Sequence, residues 1–81
     1  MKIEVQFFSR LRDLAGVTST ALDLPTGSTV ADLLARLYAD HPKMQDWDKT
    51  LLIAIGLEFA GRTEELHEGD RVSIMPPVQG G

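Results

Sequence analysis

The chain contains no cysteine. That absence excludes a disulfide, a thiolate metal site, a persulfide and a cysteine nucleophile. Histidine is scarce: His41 and His67 stand apart in polar stretches, without the His, Asp or Glu spacing of a metal site, and both are expected at the surface. No apolar run approaches the ~18 residues that a membrane-spanning helix needs. The N-terminus has one lysine and then alternating residues instead of a signal peptide's apolar block, so a cytoplasmic location is expected. Basic residues are the minority, 8 Lys and Arg against 12 Asp and Glu, for a formal net charge of −4. That balance argues against nucleic acid and anionic membranes and suits a basic partner surface. No Ser-His-Asp order, phosphate loop or EF-hand pattern occurs. Side chains therefore offer little catalytic chemistry, and no bound cofactor or metal is expected.

What is present is enough for one small α+β domain. The length is 81 residues, 43% hydrophobic and 25% charged, the mix of an ordinary globular protein. From Lys2 to Phe8 the chain alternates, with Ile3, Val5 and Phe7 on one face, which predicts a half-buried strand. Phe8 breaks the phase and falls on the polar face. Leu11 and Leu14, followed by Gly16, predict a short helical turn with a glycine stop. Thr18 to Leu24 alternates again, with Leu22 and Leu24 inward, and Pro25-Thr26-Gly27 is a turn. Thr29 with Asp32 resembles a capping box, Asp standing in for the usual Glu. Val30, Leu33, Leu34, Leu37 and Tyr38 then make one helical stripe, best read as core, and the helix is expected to stop near Asp40, before Pro42.

His41 to Thr50 reads as a polar connection anchored by Trp47. Leu51 to Ile55 is apolar on both faces, as in a central strand. Glu58 to Ala60 is a short strand, Glu64 to Gly69 an acidic loop with Leu66 tucked in, and Glu68-Gly69-Asp70 a tight turn. In the last strand, Arg71 to Met75, Val72 and Ile74 point inward, Ser73 and Met75 outward. The order suits an α+β roll, a mixed sheet of four to five strands with one main helix on one face, the ubiquitin-like β-grasp arrangement.

The remaining residues, 76–81, read as a tail on a domain of residues 1–75. Pro76 and Pro77 fix φ and withhold two N–H donors, so they end sheet pairing and stiffen the chain. Val78 and Gln79 follow, and then Gly80 and Gly81, which have no Cβ and let a partner close tightly on the backbone. The arm from Pro76 to Gly81 could reach roughly 20 Å, at about 3.3 Å per residue. Rigid, then slender, then a carboxylate is the order expected of a terminus that enters a narrow active site.

Two stretches carry a family resemblance. Phe7-Phe8-Ser9-Arg10-Leu11-Arg12-Asp13-Leu14-Ala15-Gly16 resembles the first-strand-and-turn signature of the small subunit of molybdopterin synthase, a ubiquitin-like sulfur carrier. Glu68-Gly69-Asp70-Arg71-Val72 and Pro76-Pro77-Val78-Gln79-Gly80-Gly81 resemble that family's end. The match covers the whole chain in length and element order. The related thiamine sulfur carrier also ends in Gly-Gly, but it is typically shorter and lacks the Phe-Phe and Pro-Pro stretches. One departure is Gly56, where family members commonly have Asn at the end of the central strand.

The resemblance implies that Gly81 is adenylated by a ubiquitin-activating-like adenylyltransferase that uses ATP, and is then converted to a thiocarboxylate. It implies that this group donates sulfur to a cyclic pterin precursor inside the large synthase subunit, in molybdenum cofactor biosynthesis. Each tail carries one sulfur and the dithiolene needs two, so two loadings are required. A heterotetramer of two small and two large subunits is implied, with the small subunit non-catalytic by itself. Phe8, Phe59 and Met75 are expected on the open sheet face as partner contacts, along with Pro76, Pro77, Val78 and Gln79. Glu58, Glu64, Glu65, Glu68 and Asp70 read first as a solvated acidic loop, with attraction to a basic rim of the partner as the second reading. Two other readings share the tail: a ubiquitin-like modifier joined through Gly81 to lysines, or a carrier for another pathway such as thiamine biosynthesis. A third is an interaction domain with an inert tail.

Overall fold

The structure, a computed structural model, describes residues 1–77. Strict alternation makes β1 (Lys2–Phe7), with Ile3, Val5 and Phe7 buried. The strand stops at Phe7, one residue earlier than the alternation suggests, because Ser9 turns the chain with a φ of 53°. Helix α1 (Arg10–Ala15) buries Leu11 and ends at Gly16, whose left-handed φ of 79° lets its N–H reach the Arg12 carbonyl. β2 (Ser19–Asp23) returns antiparallel to β1, pairing Asp23 with Lys2.

Helix α2 (Val30–Asp40) begins with the expected capping box. The Thr29 side chain accepts from the Asp32 N–H, and the Asp32 carboxylate accepts from the Thr29 N–H at 2.9 Å. Two further first-turn donors are satisfied from outside the helix: Val30 N–H by the Glu64 carbonyl and Ala31 N–H by the Arg62 carbonyl. The acidic loop is therefore strapped across the start of α2, with Leu66 buried as its anchor. Val30, Leu33, Leu34 and Leu37 form the buried stripe of α2, and they share one core with Ile3, Val5, Phe7, Ile53, Val72 and Ile74.

Residues Pro42–Thr50 form a 3₁₀ helix where a plain connection was expected. Pro42 starts it, since a missing N–H costs nothing at a helix's first turn, and Met44 fixes it by complete burial. His41 is half-buried because its N–H caps α2 on the Leu37 carbonyl; His67 is exposed. β3 (Leu52–Ile55) and β4 (Glu58–Phe59) form a hairpin with a two-residue loop, and β5 (Arg71–Met75) completes the sheet.

The sheet order is β2-β1-β5-β3-β4, with β1 and β5 parallel and the other pairs antiparallel. Thus β5, not β3, holds the middle, although β3 is paired on both edges as its two apolar faces suggested. This is the ubiquitin-like β-grasp, α+β, with the helix on one sheet face. Gly56, the departure from the family's Asn, has a φ of 62° at the first position of the hairpin loop. Asn and Gly are the residues that tolerate positive φ, so local geometry accounts for either one there.

Candidate functional site

Residues directly opposite each other in a ladder share a face, so the register identifies the face that α2 leaves open. Across the helix-free side, Ser19, Gln6, Ser73, Ala54 and Phe59 form one row. Leu52 pairs with Met75 in the adjacent row, where Phe8 joins them by alternation from buried Phe7. The Phe8 N–H still reaches the Ile74 carbonyl at 3.2 Å, one step beyond the end of β1. Arg71 and Glu4 make an ion pair at 3.7 Å on the same face.

Phe8, Phe59 and Met75 therefore lie on one face, but not side by side. Strand spacing near 4.8 Å and a two-residue rise near 6.8 Å put Phe59 roughly 12 Å from Met75. Between them on this face lie Leu52, which is half-buried, and Ala54, which is buried; neither was singled out in the sequence. Reading Leu51 to Ile55 as apolar on both faces held the clue, because one of those faces has no helix over it. Phe59 is 76% exposed and Phe8 42%, while Met75 is half-buried. Leu57, at the tip of the β3–β4 loop, is fully exposed beside this face.

Glu58, Glu64, Glu65 and Asp70 line a hollow of about 200 Å³ together with Phe59 and Ala60. Four of the five expected acidic residues are thus gathered beside Phe59. Glu68 is not among them, since it accepts the Lys2 N–H at 3.0 Å. Among the described residues no group of His, Cys, Asp or Glu could hold a metal ion, and no helix is long and apolar enough to cross a membrane.

The tail begins at the end of this face. Pro76 and Pro77 are half-buried and share a groove with Ser9, Arg10 and Trp47. Val78, Gln79, Gly80 and Gly81 lie outside the described residues. Behind Trp47, Asp48 accepts hydrogen bonds from the Tyr38 hydroxyl at 2.5 Å and from Arg62 at 2.8 Å, and Arg62 also bonds the Asp48 carbonyl. The Tyr38 bond and the Arg62 charge hold the Asp48 carboxyl below its ordinary range. Burial first, and then the bond to Asp48, pushes the Tyr38 phenol up. This cluster ties the 3₁₀ helix to α2 and, through Arg62, to the segment just before the acidic loop.

The geometry can therefore present an open sheet face with an apolar part around Phe8, Leu52, Phe59 and Met75, an acidic flank beside Phe59, and Pro76 and Pro77 at the end of β5. Comparison with known proteins places the chain among relatives of the same fold. The model of the ThiS family matches residues 5–81. A molybdopterin synthase sulfur carrier subunit from Chlamydomonas reinhardtii is 37% identical over 83 residues, covering 100% of both chains. Among solved structures, a Pyrococcus furiosus protein assigned as molybdopterin converting factor subunit 1 superposes with a TM-score of 0.88 at 35% identity, over 96% of this chain and 99% of that one. The small archaeal modifier protein 1 of Methanosarcina acetivorans superposes with a TM-score of 0.82 at 26% identity, over 99% of this chain and 96% of that one.

Proposed function

We propose a function from one premise: the chain belongs to the ThiS family. Within that family it acts as the sulfur carrier subunit of molybdopterin synthase. The observation that carries this reading is the end-to-end similarity to a relative of that name, which includes the Gly-Gly stretch. A free carboxylate is a poor acyl donor because oxide is a poor leaving group. An adenylating enzyme joins the Gly81 carboxylate to AMP and releases pyrophosphate. A hydrosulfide equivalent from a sulfur donor then displaces AMP and leaves the thiocarboxylate. In the large subunit, sulfur passes to the pterin precursor, water supplies the oxygen that replaces it on the acyl carbon, and the carboxylate returns, ready for a second loading. The chain itself supplies the carrier and the docking surface; ATP belongs to the activating enzyme.

The open face around Phe8, Leu52, Phe59 and Met75 docks on the large subunit, in an assembly of two small and two large subunits, while Pro76 to Gln79 lead Gly80 and Gly81 into the active site. The proposal is tested by adding chemically thiocarboxylated protein to the large subunit and a cyclic pterin precursor. Molybdopterin should form, with one sulfur consumed per carrier; no product from a folded, thiocarboxylated chain would overturn it. A second reading, a modifier conjugated through Gly81, is favoured by the likeness to the archaeal modifier protein. It predicts a ladder of conjugates on host proteins in place of product.

A further inference from the structure

The root of the tail borders a groove on the domain, and both of its prolines are half-buried. Pro76 and Pro77 line a groove of about 420 Å³ whose other walls are Ser9, Arg10 and Trp47. The Arg10 guanidinium lies over the Trp47 ring, 5.2 Å from its centroid, within cation–π range. Prolines lack an N–H, so a sheet or loop cannot hold them by backbone donors. Aromatic-lined grooves are a common means of holding such segments, because a proline segment is already ordered and extended and loses little entropy when held. Trp47 is itself fixed: its neighbour Asp48 is held by Tyr38 and Arg62, and Met44 on the same 3₁₀ helix is fully buried.

We propose that Arg10 and Trp47 form an intramolecular bracket that receives Pro76 and Pro77 and sets the direction in which the tail leaves the domain. Both are positioning residues, since neither touches the reacting atoms. The functional consequence rests on the carrier reading. Two consecutive prolines are stiff, so a loosened bracket changes the angle at which the chain leaves Pro77, and with it the presentation of the reacting group, without altering the docking face. Displacement near 1 Å can cost up to about a hundredfold in rate.

The test has a structural arm and a kinetic arm. Trp47 is the sole tryptophan, so its indole resonances are unambiguous. Proton NOEs from the Trp47 indole to the Pro76 and Pro77 rings should be present in the full chain and weakened in Arg10→Ala, whose exposed side chain can be removed without cost to the core. In loading by an activating enzyme with ATP and a sulfur donor, Arg10→Ala should lower kcat about tenfold with KM unchanged. Trp47→Phe, which keeps a ring face, should stay within about twofold of the native chain.

Missing NOEs in the native chain would overturn the bracket. A normal kcat in Arg10→Ala would also overturn it, and a raised KM would make Arg10 a docking residue instead. Failure of the native chain to be loaded at all would count against the carrier reading, and the NOE arm alone would then decide the bracket.

Discussion

Phe59 stands directly opposite Ala54 on the β3–β4 pair, with three-quarters of its surface exposed on a sheet face that carries no helix. A large aromatic ring left out of the core in this way can serve as an anchor for a partner. Aromatic anchors at a docked surface can each carry about 2 kcal/mol or more, and tenfold in affinity is about 1.4 kcal/mol. Phe59→Ala should therefore weaken large-subunit binding more than tenfold. Its melting temperature should hardly change, because the ring contributes little to the core. Phe8→Ala should behave similarly. Glu64→Lys should matter mainly at low salt, since rim charges act chiefly on association rate. Calorimetric titration of each folded variant checks this; unchanged affinity in both Phe variants would move the interface elsewhere.

Gly56 occupies a positive-φ position in open space, with no heavy atom within 4 Å of where a Cβ would sit. Neighbouring atoms leave room for a side chain there, but the positive φ disfavours most residue types other than Gly and Asn. Gly56→Asn should be nearly neutral, and Gly56→Val should cost about 1–3 kcal/mol, as strained backbone does. Urea denaturation of the two variants separates these outcomes.

Tyr38 is the sole tyrosine, so its ionisation can be followed directly by ultraviolet absorbance. Burial and the bond to Asp48 favour the neutral phenol, so native protein should ionise well above the ordinary phenol value of about 10. Asp48→Asn should bring that titration down. A raised folded-state value means that this stabilisation is present at and below the unfolded value and is lost as pH rises through the folded one. For Asp48 the sign reverses. Its carboxyl is lowered in the fold, so its contribution is complete above about pH 4 and is lost as pH falls through the folded value. Acid unfolding of Asp48→Asn should accordingly show a shallower dependence on pH.

Ser9 combines a φ of 53° with a ψ of −130°, a conformation that favours glycine. Ser9→Gly should relieve strain of about 1–3 kcal/mol against a glycine entropy cost of about 0.5–1 kcal/mol. A net gain of about 1 kcal/mol is expected in thermal or denaturant unfolding, with loading no faster than in the native chain. A destabilised Ser9→Gly variant would show that the turn is not strained.

The sheet and α2 were legible in the sequence because each obeys one dominant period: Ile3-Val5-Phe7 and Val72-Ile74 alternate, and Val30 to Leu37 repeats at helical spacing. The Thr29–Asp32 box was legible because capping is local chemistry. The 3₁₀ helix was not, since Pro42–Thr50 has only Met44 and Trp47 as apolar anchors, too few to reveal a period. Phe8 and Met75 could be placed on the open face by parity alone. Leu52 and Ala54 could not, because a strand apolar on both faces does not tell which face the helix covers. The groove between Arg10, Trp47 and the two prolines was beyond sequence reading, as it joins residues from three separate stretches.

The central claim is that Gly81 carries the chemistry, and intact mass tests it most directly. The native chain, incubated with an activating enzyme, ATP and a sulfur donor, should gain one oxygen-for-sulfur exchange at Gly81. A variant with one residue added after Gly81 should gain none while keeping the native fold, because the reacting carbon must reach a fixed point. Sulfur loading of the untrimmed, extended variant, or no exchange on the native chain under conditions that load another carrier, would contradict the account.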